Sequence, residues 1–290
     1  MMKKRLAVLV ALTCAICMTA CGGGSKESTQ ATSGTADTDS AKQELANQVE
    51  STLTAVEDTV NDMATEMAGA IDDTKIIDYA TFAAADIDEP VVVETYVQAK
   101  QIWWQGATSL YTQNKDGAYF IYNVPMTMEE YEKLVPGTRI FVSGYKSEWS
   151  GEVEITDAKY EIVEGESFIA EPVDITDMLG SDDLINYQNQ YFSVKDMQVV
   201  ASKDAEGNEV AYIYNWDGSG TEGDDLYFNV SKGGADDPVY TFTVESNLSE
   251  PGSEVYEAVK ALEIGQTVDM DGYLYWYEGA NPHVVSVTVK

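Results

Sequence analysis

The chain has 290 residues, enough for one large domain or two small ones with cores of their own. It carries 50 acidic and 17 basic residues, a net charge of −33, and its composition of 44% hydrophobic and 10% aromatic residues excludes a wholly disordered chain. A surface this acidic repels phosphate backbones at long range. The charge balance therefore argues against a nucleic-acid partner.

Residues 1–20 have the plan of a secretory signal peptide. A basic stretch over residues 1–5 precedes an apolar run over residues 6–18, which is too short to span a membrane, and Ala20 precedes Cys21. Small residues before a cysteine resemble the lipobox of bacterial lipoproteins, in which the thiol is lipidated and the chain is cut just before it. The resemblance implies a lipid anchor on Cys21 at the extracytoplasmic face of a bacterial cell membrane. The alternative is an ordinary signal peptide that is cut elsewhere.

The other two cysteines, Cys14 and Cys17, lie inside the segment that this cleavage removes. The mature chain then keeps only Cys21, which is already lipidated. It forms no disulfide although it is exported, so its stability must come from the core.

Between the signal peptide and the folded part, the sequence predicts a tether and then a helix. Residues 21–39 are mostly Gly, Ser, Thr, Ala and Asp, which predicts a disordered tether. Over residues 40–78, apolar residues recur at intervals of three and four, which predicts an amphipathic helix. Heptad spacing from Leu53 onward is compatible with a homodimeric coiled coil through residues 45–71. The seam is short and contains two Met and Ala70, which favours the alternative, a stalk or a helix packed on its own domain. The apolar stripe consists of Leu45, Val49, Leu53, Val56, Val60, Met63, Met67 and Ala70.

Residues 79–165 read as a small β-barrel. Short alternating runs predict five strands, over residues 91–100, 108–113, 118–123, 137–145 and 153–162. A capping box that starts at Thr127 opens a short helix between the third and fourth strands. This order is that of the OB-fold, a five-stranded Greek-key barrel.

Several segments also resemble known OB domains. Residues 136–144 and 149–155 resemble the fourth and fifth strands of OB domains in exported bacterial proteins. Residues 96–101 and 116–120 resemble earlier strands in a group of clostridial surface lipoproteins. The resemblance implies the fold and not one function, because the OB-fold hosts many ligands.

The second half repeats this plan at a fixed offset of 128 residues. Three glycines recur at that offset, together with Val and Ile positions, which argues for a duplicated domain. The pairs are Gly137 and Gly265, Gly144 and Gly272, and Gly151 and Gly279. The predicted fold is therefore mainly β, with two tandem five-stranded OB-fold-like barrels joined by a linker over residues 166–186. The second barrel spans residues 187–290, and an acidic loop over residues 217–225 interrupts its early strands.

The search for catalytic chemistry predicts that the protein is not an enzyme and needs no organic cofactor. His283 is the only histidine, which excludes a His-based triad within one chain, and it follows Pro282 in an expected surface loop. The chain has no phosphate-binding GxxxxGK motif. Small OB barrels also offer no deep cleft in which to raise the pKa of a catalytic carboxyl group.

The acidic loop is a candidate calcium site. Carboxylates among glycines supply the oxygen ligands that Ca²⁺ prefers, but their spacing does not fit the EF-hand pattern. The alternative is a solvated loop without a ligand. The candidate ligands are Asp217, Glu222, Asp224 and Asp225.

Aromatic residues are the remaining candidates for binding. They fall in the loops that flank the ligand face of an OB-fold and on the third strand, where they can stack on sugars or bases or cover a partner's apolar patch. The alternative is that these rings close the barrel ends or form the interface between the barrels. The candidates are Trp103, Trp104, Tyr122, Trp149, Tyr275 and Trp276.

Two functions follow from these features. The first is a membrane-anchored binding or scaffolding lipoprotein whose ligand is a protein, a peptide or a glycan. The alternative is an accessory module that binds nucleic acid in extracellular nucleic-acid metabolism, because these OB domains resemble those appended to exported nucleases. Charge favours the first, since an OB groove that tracks a strand needs Lys and Arg on its face.

Overall fold

The computed structural model describes residues 71–233 and 237–290. The signal peptide, Cys21, the tether and most of the predicted helix lie outside these residues and stay predictions, as does the homodimer through residues 45–71. The described end of the predicted helix is not a continuous helix. It contains a 3₁₀ helix at Asp73–Lys75, and the Asp78 side chain then accepts a hydrogen bond from Thr81 N and caps helix α1, Tyr79–Ala84. Within the described residues, each helix is too short or too polar to cross a membrane.

The first barrel has the predicted OB-fold connectivity. Its elements are β1 (Pro90–Lys100), β2 (Ala107–Gln113), β3 (Ala118–Pro125), α2 (Met128–Lys133), β4 (Arg139–Trp149) and β5 (Glu152–Ile162). The strands close in the order β1-β2-β3-β5-β4. Strands β3 and β5 pair in parallel at Phe120 and Glu154, and the other neighbours are antiparallel.

Local sequence signals explain these elements. The Asn114 side chain accepts from the backbone N–H groups of Asp116 and Gly117 and so closes the β2–β3 hairpin. Helix α2 begins at the predicted capping box, in which Thr127 and Glu130 each accept from the other's backbone N–H. Alternation on β1 and β3 then directs one face of each strand into the barrel core.

The connection to the second barrel has structure of its own. It contains β6 (Val173–Asp174) and two 3₁₀ helices, Thr176–Met178 and Asp182–Tyr187. Strand β6 adds in parallel to the edge of β7 (Tyr191–Val200), the first strand of the second barrel. The segment predicted as a linker therefore contributes one short strand, β6, to the second sheet.

The second barrel is also closed. After β7 come three short strands, β8 (Ser202–Lys203), β9 (Glu209–Val210) and β10 (Tyr212–Tyr214). The remaining elements are β11 (Leu226–Ser231), β12 (Val239–Val244), α3 (Glu254–Lys260), β13 (Thr267–Trp276) and β14 (Ala280–Val289). Pairing of β11 with β7 closes the ring, and β12 meets β14 in parallel at Thr243 and His283. The tandem barrels predicted from the sequence are confirmed.

The equal-offset glycines occupy equivalent places in the two barrels. Gly137 and Gly265 both have positive φ, +87° and +92°, and their N–H groups donate to Val97 O at 2.7 Å and Val199 O at 2.8 Å. Gly144 and Gly272 lie beside register shifts between the fourth and fifth strands of their barrels. Both Gly144 and Gly272 allow two strands to approach each other closely, and a side chain at either position would prevent this approach.

Both barrels belong to one compact unit and contact each other through side chains and backbone. We call the buried cluster of Tyr111, Phe120 and Tyr273 the junction. The Tyr111 ring stacks on Tyr273, with centroids 4.8 Å apart. The tips of the duplicated hairpins also meet, because Glu278 N donates to Ser150 O at 2.7 Å.

Candidate functional site

A groove with a volume of about 600 Å³ lies where the two barrels meet. The first barrel contributes the β1–β2 connection, part of β3 and the end of β4, and the second contributes residues that follow β12 and residues of β13 and β14. We call it the inter-barrel groove. Its lining residues are Gln101, Ile102, Trp104, Ala107, Thr108, Ser109, Phe120, Tyr122, Asn123, Trp149, Glu245, Asn247, Tyr275 and His283.

Three aromatic side chains in this lining are largely exposed. Trp104 is 66% exposed, Tyr122 51% and Trp149 55%. The loop that carries Trp104 is held by two backbone hydrogen bonds between Trp104 and Ala107, one in each direction. The Trp149 ring contacts the Tyr277 ring, with centroids 5.0 Å apart. Large rings exposed in one concavity are typical of a surface that contacts a ligand or a partner rather than of a core.

The structure divides the predicted binding residues into two groups. Trp104, Tyr122, Trp149 and Tyr275 all line the groove. Trp103 does not, because it packs against the first core, and its indole N–H donates to Met126 O at 2.9 Å. Trp276 packs against the second core instead. Neither of these two tryptophans therefore lines the inter-barrel groove.

Alternation along β3 explains the division between core and surface. Tyr119 and Ile121 point into the barrel core, so Phe120 and Tyr122 point outward. The second barrel buries Phe120 in the junction, whereas Tyr122 remains exposed in the groove. The sequence analysis treated a binding surface and an inter-barrel interface as alternatives. The same face of β3 supplies both a residue of the interface, Phe120, and an exposed ring, Tyr122.

The groove contains a carboxylate that the sequence analysis did not single out. Glu245 Oε1 accepts from Gln101 Nε2 at 2.6 Å, and Oε2 lies 3.1 Å from His283 Nδ1. Burial raises the pKa of Glu245, but the positive charge and hydrogen bond of His283 and the hydrogen bond of Gln101 outweigh burial, so this pKa is below its usual value. The carboxylate is an ionised acceptor in the groove.

His283 is not the surface-loop residue that the sequence predicted. It lies in β14, is 5% exposed and stacks on Tyr275 with centroids 4.6 Å apart. Its Nδ1 is also 2.8 Å from Tyr111 Oη, across the junction. The expectation failed because Asn281-Pro282 reads locally as a turn, whereas tertiary pairing with β13 extends the strand through it.

Two more buried carboxyl groups, those of Glu152 and Glu154, lie on β5. Glu152 accepts from Asn189 Nδ2 at 2.6 Å and from Trp276 N at 2.8 Å. Burial raises the pKa of Glu152 to about 8 against the opposing effect of these two hydrogen bonds, and burial raises the pKa of Glu154 to about 7. The sequence analysis predicted that small barrels offer no deep cleft in which to raise the pKa of a catalytic carboxyl group. Here Glu152 is buried not by a cleft but by contact with Asn189 and Trp276 of the second barrel.

The structure does not assemble the candidate calcium site. Asp217 accepts from Ser219, and Glu222 pairs with Lys260. The other two carboxylates also bond to neighbours outside any shared centre, Asp224 to Thr221 N and Asp225 to Ser246. Across residues 71–233 and 237–290, no three His, Cys, Asp or Glu side chains converge to hold a metal ion.

No family model matches the chain, and no curated protein matches it. Similar solved structures include the HINa domain of Ifi202 in complex with 20-bp double-stranded DNA, at 11% identity and a TM-score of 0.31, covering 70% of this chain and 96% of that one. A murine DNA-binding protein bound to double-stranded DNA has 11% identity and a TM-score of 0.32, covering 70% and 97%. A deletion mutant of the single-stranded DNA-binding protein from Thermus aquaticus has 11% identity and a TM-score of 0.21, covering 69% and 93%.

These findings correct the expectation that charge argues against a nucleic-acid partner. Domains determined in complex with DNA are among the structures that this chain resembles over most of its length. The physical reason is that net charge is summed over the whole chain, whereas a ligand meets a local surface. In the inter-barrel groove that surface consists of aromatic rings and amide side chains, with Glu245 as the one carboxylate among the lining residues.

Proposed function

We propose that the protein binds single-stranded nucleic acid by stacking unpaired bases in the inter-barrel groove, with the sugar–phosphate backbone toward solvent. The observation that carries the proposal is the exposure of Trp104, Tyr122 and Trp149 together on the ligand face of the first OB barrel. Stacking of a base on an aromatic side chain contributes about 1–3 kcal/mol and needs no particular sequence. Because the similar solved structures have TM-scores near 0.3, support for this function comes from the groove itself.

The composition of the groove determines how such binding would depend on salt. The groove lining includes no Lys or Arg, so neutralised phosphates do not supply the affinity. Most DNA-binding proteins lose affinity as salt rises, because salt opposes counterion release. Here salt instead screens repulsion between the acidic surface and the backbone, over a Debye length of about 10 Å at 0.1 M. We expect affinity to stay constant or to rise with salt.

The amino terminus supports a location for this activity. A lipid anchor on Cys21, proposed from the lipobox resemblance, would hold the barrels outside the cell membrane. In that position the protein would act as a binding module, not an enzyme, in extracellular nucleic-acid metabolism. The tether over residues 21–39 would let the groove reach ligands away from the membrane surface.

The test is a titration of the protein against a fluorescent single strand of about ten nucleotides. Trp104→Ala and Trp149→Ala should each weaken binding roughly tenfold, the loss of one stacked base. The matched control is Trp216→Ala, because Trp216 is 77% exposed but lies outside the groove. This control should bind like the parent protein.

Three outcomes would overturn the proposal. The first is that no oligonucleotide binds even at high micromolar protein. The second is binding that survives both groove variants and weakens with salt, which would indicate phosphate contacts elsewhere. The third is that the protein binds an uncharged oligosaccharide instead of the oligonucleotide and that the two groove variants lose this binding. That result would show that the exposed rings bind a glycan.

A further inference from the structure

We propose that the second barrel binds an extended, basic peptide as an added strand along the open edge of β12. The site is a second groove, with a volume of about 670 Å³, that lies between β12 and the start of β14. We call it the edge groove. The 3₁₀ helix Asp182–Tyr187 and the residues just before it form its remaining wall. It is separate from the inter-barrel groove, because no residue lines both.

The open edge arises where β12 and β14 separate. Strand β12 pairs with β11 along its whole length, from Val239 to Val244. It pairs with β14 at one position only, where Thr243 meets His283. No other strand in the described part of the chain pairs with this edge of β12 before Thr243.

A proline lies where the two strands separate. On β13, Leu274 donates its N–H to Gln190 O at 3.1 Å and accepts from Asn189 N at 2.8 Å, so its backbone groups face away from β14. Its partner on β14 is Pro282, and in such a pair the backbone groups of both residues point outward. The Pro282 nitrogen therefore points toward β12, where it has no hydrogen to donate. Strand β14 thus lacks a donor to β12 where the edge groove begins.

The open edge of β12 presents backbone groups to the edge groove. Because Pro282 rather than His283 directs its backbone groups to β12, Thr243 is the residue of β12 that faces β14. Val239 and Thr241 lie four and two residues before Thr243, so their N–H and C=O groups face the same side. Both residues line the edge groove and are exposed. A row of N–H and C=O groups without a neighbouring strand is the feature that an added extended chain recognises.

The side chains of the edge groove determine the chemistry of the partner. Apolar side chains line it, among them Ile185, Trp276 and Pro282. Asp182 is the one charged residue in the lining, and the whole chain has a net charge of −33. A peptide that alternates apolar and basic residues complements both the apolar lining and the acidic surface around it. A second copy of this chain does not, because two acidic surfaces repel each other.

The experiment titrates a short fluorescent peptide of alternating Lys and Val against the protein by fluorescence anisotropy. The parent protein should bind this peptide, and it should bind the corresponding Glu–Val peptide at least about tenfold more weakly, because like charges repel. Ile185→Ser removes an apolar contact at a residue that is 40% exposed and should weaken binding roughly fivefold. The matched control is Ile264→Ser, because Ile264 is 49% exposed but lies outside the edge groove. This control should bind like the parent protein.

Methylated peptides test the strand pairing itself and need no protein variant. Alternate residues of an extended peptide direct their N–H groups to opposite sides, so N-methylation of every Val, or of every Lys, removes the donors of one side only. One of these two peptides should therefore bind at least about tenfold more weakly than the unmethylated peptide, because it loses its hydrogen bonds to β12. The other should bind like the unmethylated peptide.

Several results would overturn the proposal. The first is that the Lys–Val peptide does not bind, or that the Glu–Val peptide binds equally well. The second is that the two methylated peptides bind with the same affinity, which would exclude strand pairing. The third is that Trp104→Ala loses the peptide and Ile185→Ser keeps it, which would assign the peptide to the inter-barrel groove. The fourth is self-association of the protein without peptide that Ile185→Ser abolishes, which would identify a second copy as the occupant.

Discussion

The two barrels share one topology but use their ligand faces differently. In the first barrel, residues 101–106 join the first two strands and place Trp104 in the groove. In the second, residues 201–225 make that connection, contain three short strands, and place Trp216 outside the groove. The duplication preserved the helix and the last two strands of each barrel. The connection after the first strand therefore decides which barrel contributes a tryptophan from this connection to the groove.

The fifth strands differ in chemistry as well as in position. Glu154 on β5 pairs with Ser147 on β4, and at the equivalent place in the second barrel Asn281 on β14 pairs with Tyr275 on β13. The first barrel thus brings buried carboxyl groups to the contact between barrels, and the second brings His283. At the contact between the barrels the two fifth strands therefore carry different side chains, because each strand there faces a different neighbour.

The largest effect is expected at the junction. Tyr111→Ala should lower the free energy of unfolding by about 3–5 kcal/mol, because it empties a fully buried site between the barrels. Tyr122→Ala, which removes an exposed ring from the adjacent strand of the same barrel, should change it by less than about 0.5 kcal/mol. Urea unfolding measures both. Similar losses for the two variants would mean that the junction adds no stability beyond that of a surface ring.

The equivalent glycines give the next largest effect. A Cβ on Gly144 would lie 2.7 Å from Ile155 Cγ2 and from Thr156 O, and a Cβ on Gly272 would lie 2.2 Å from His283 O. We expect Gly144→Val to cost roughly 2 kcal/mol and Gly272→Val roughly 3 kcal/mol in urea unfolding. The difference arises because the contact at Gly272 is closer and its three nearest atoms all belong to the backbone, whereas Gly144 also meets the Ile155 side chain. A loss below about 0.5 kcal/mol for either would show that the glycine is only a turn residue.

The buried carboxyl groups of β5 predict a pH effect of intermediate size. The pKa of Glu152 rises from 4.5 to about 8 in the folded protein, and that of Glu154 rises to about 7. Between about pH 5 and 8 the folded state therefore holds more protons than the unfolded state, so stability falls as the pH rises. The slope is about 1 kcal/mol per pH unit for each titrating group.

Glu152→Gln separates this contribution from the rest of the protein. It removes one of the two groups, so the decline in the free energy of unfolding between about pH 5 and 8 should become shallower. Urea unfolding at a series of pH values measures the slope in both proteins. A free energy of unfolding that increases across this range in the parent protein would contradict the assignment.

The smallest effect is expected for the groove tryptophans. Trp104→Ala should change the free energy of unfolding by less than about 0.5 kcal/mol, because the ring is 66% exposed. Trp103→Ala, the neighbouring residue, should cost several times more, because Trp103 packs on the first core and its indole N–H is bonded to Met126 O. Thermal unfolding compares the two. Equal losses would mean that Trp104 is a core residue and would weaken the case for a ligand there.

The fold was predictable because its signals are local. The Thr127 capping box, the Asn114 hairpin and the alternation of β1 each depend on residues close together in the chain, and all three are confirmed. The duplication was also predictable, because glycines that recur at one fixed offset can be recognised without any knowledge of tertiary contacts. Helix α1 was missed because six residues capped by Asp78 are too short for periodicity to identify.

The sequence alone determined the two barrels, the alternation that puts Phe120 and Tyr122 on one face of β3, and the connection that carries Trp104. Only the tertiary structure decided which rings share a groove and which carboxylate joins them. Gln101 and Glu245 are 144 residues apart and belong to different barrels, and Tyr111 meets His283 across the same interface. No local sequence pattern encodes such pairs, because they depend on how the two closed barrels pack together. The surfaces that pack form only after each barrel has folded.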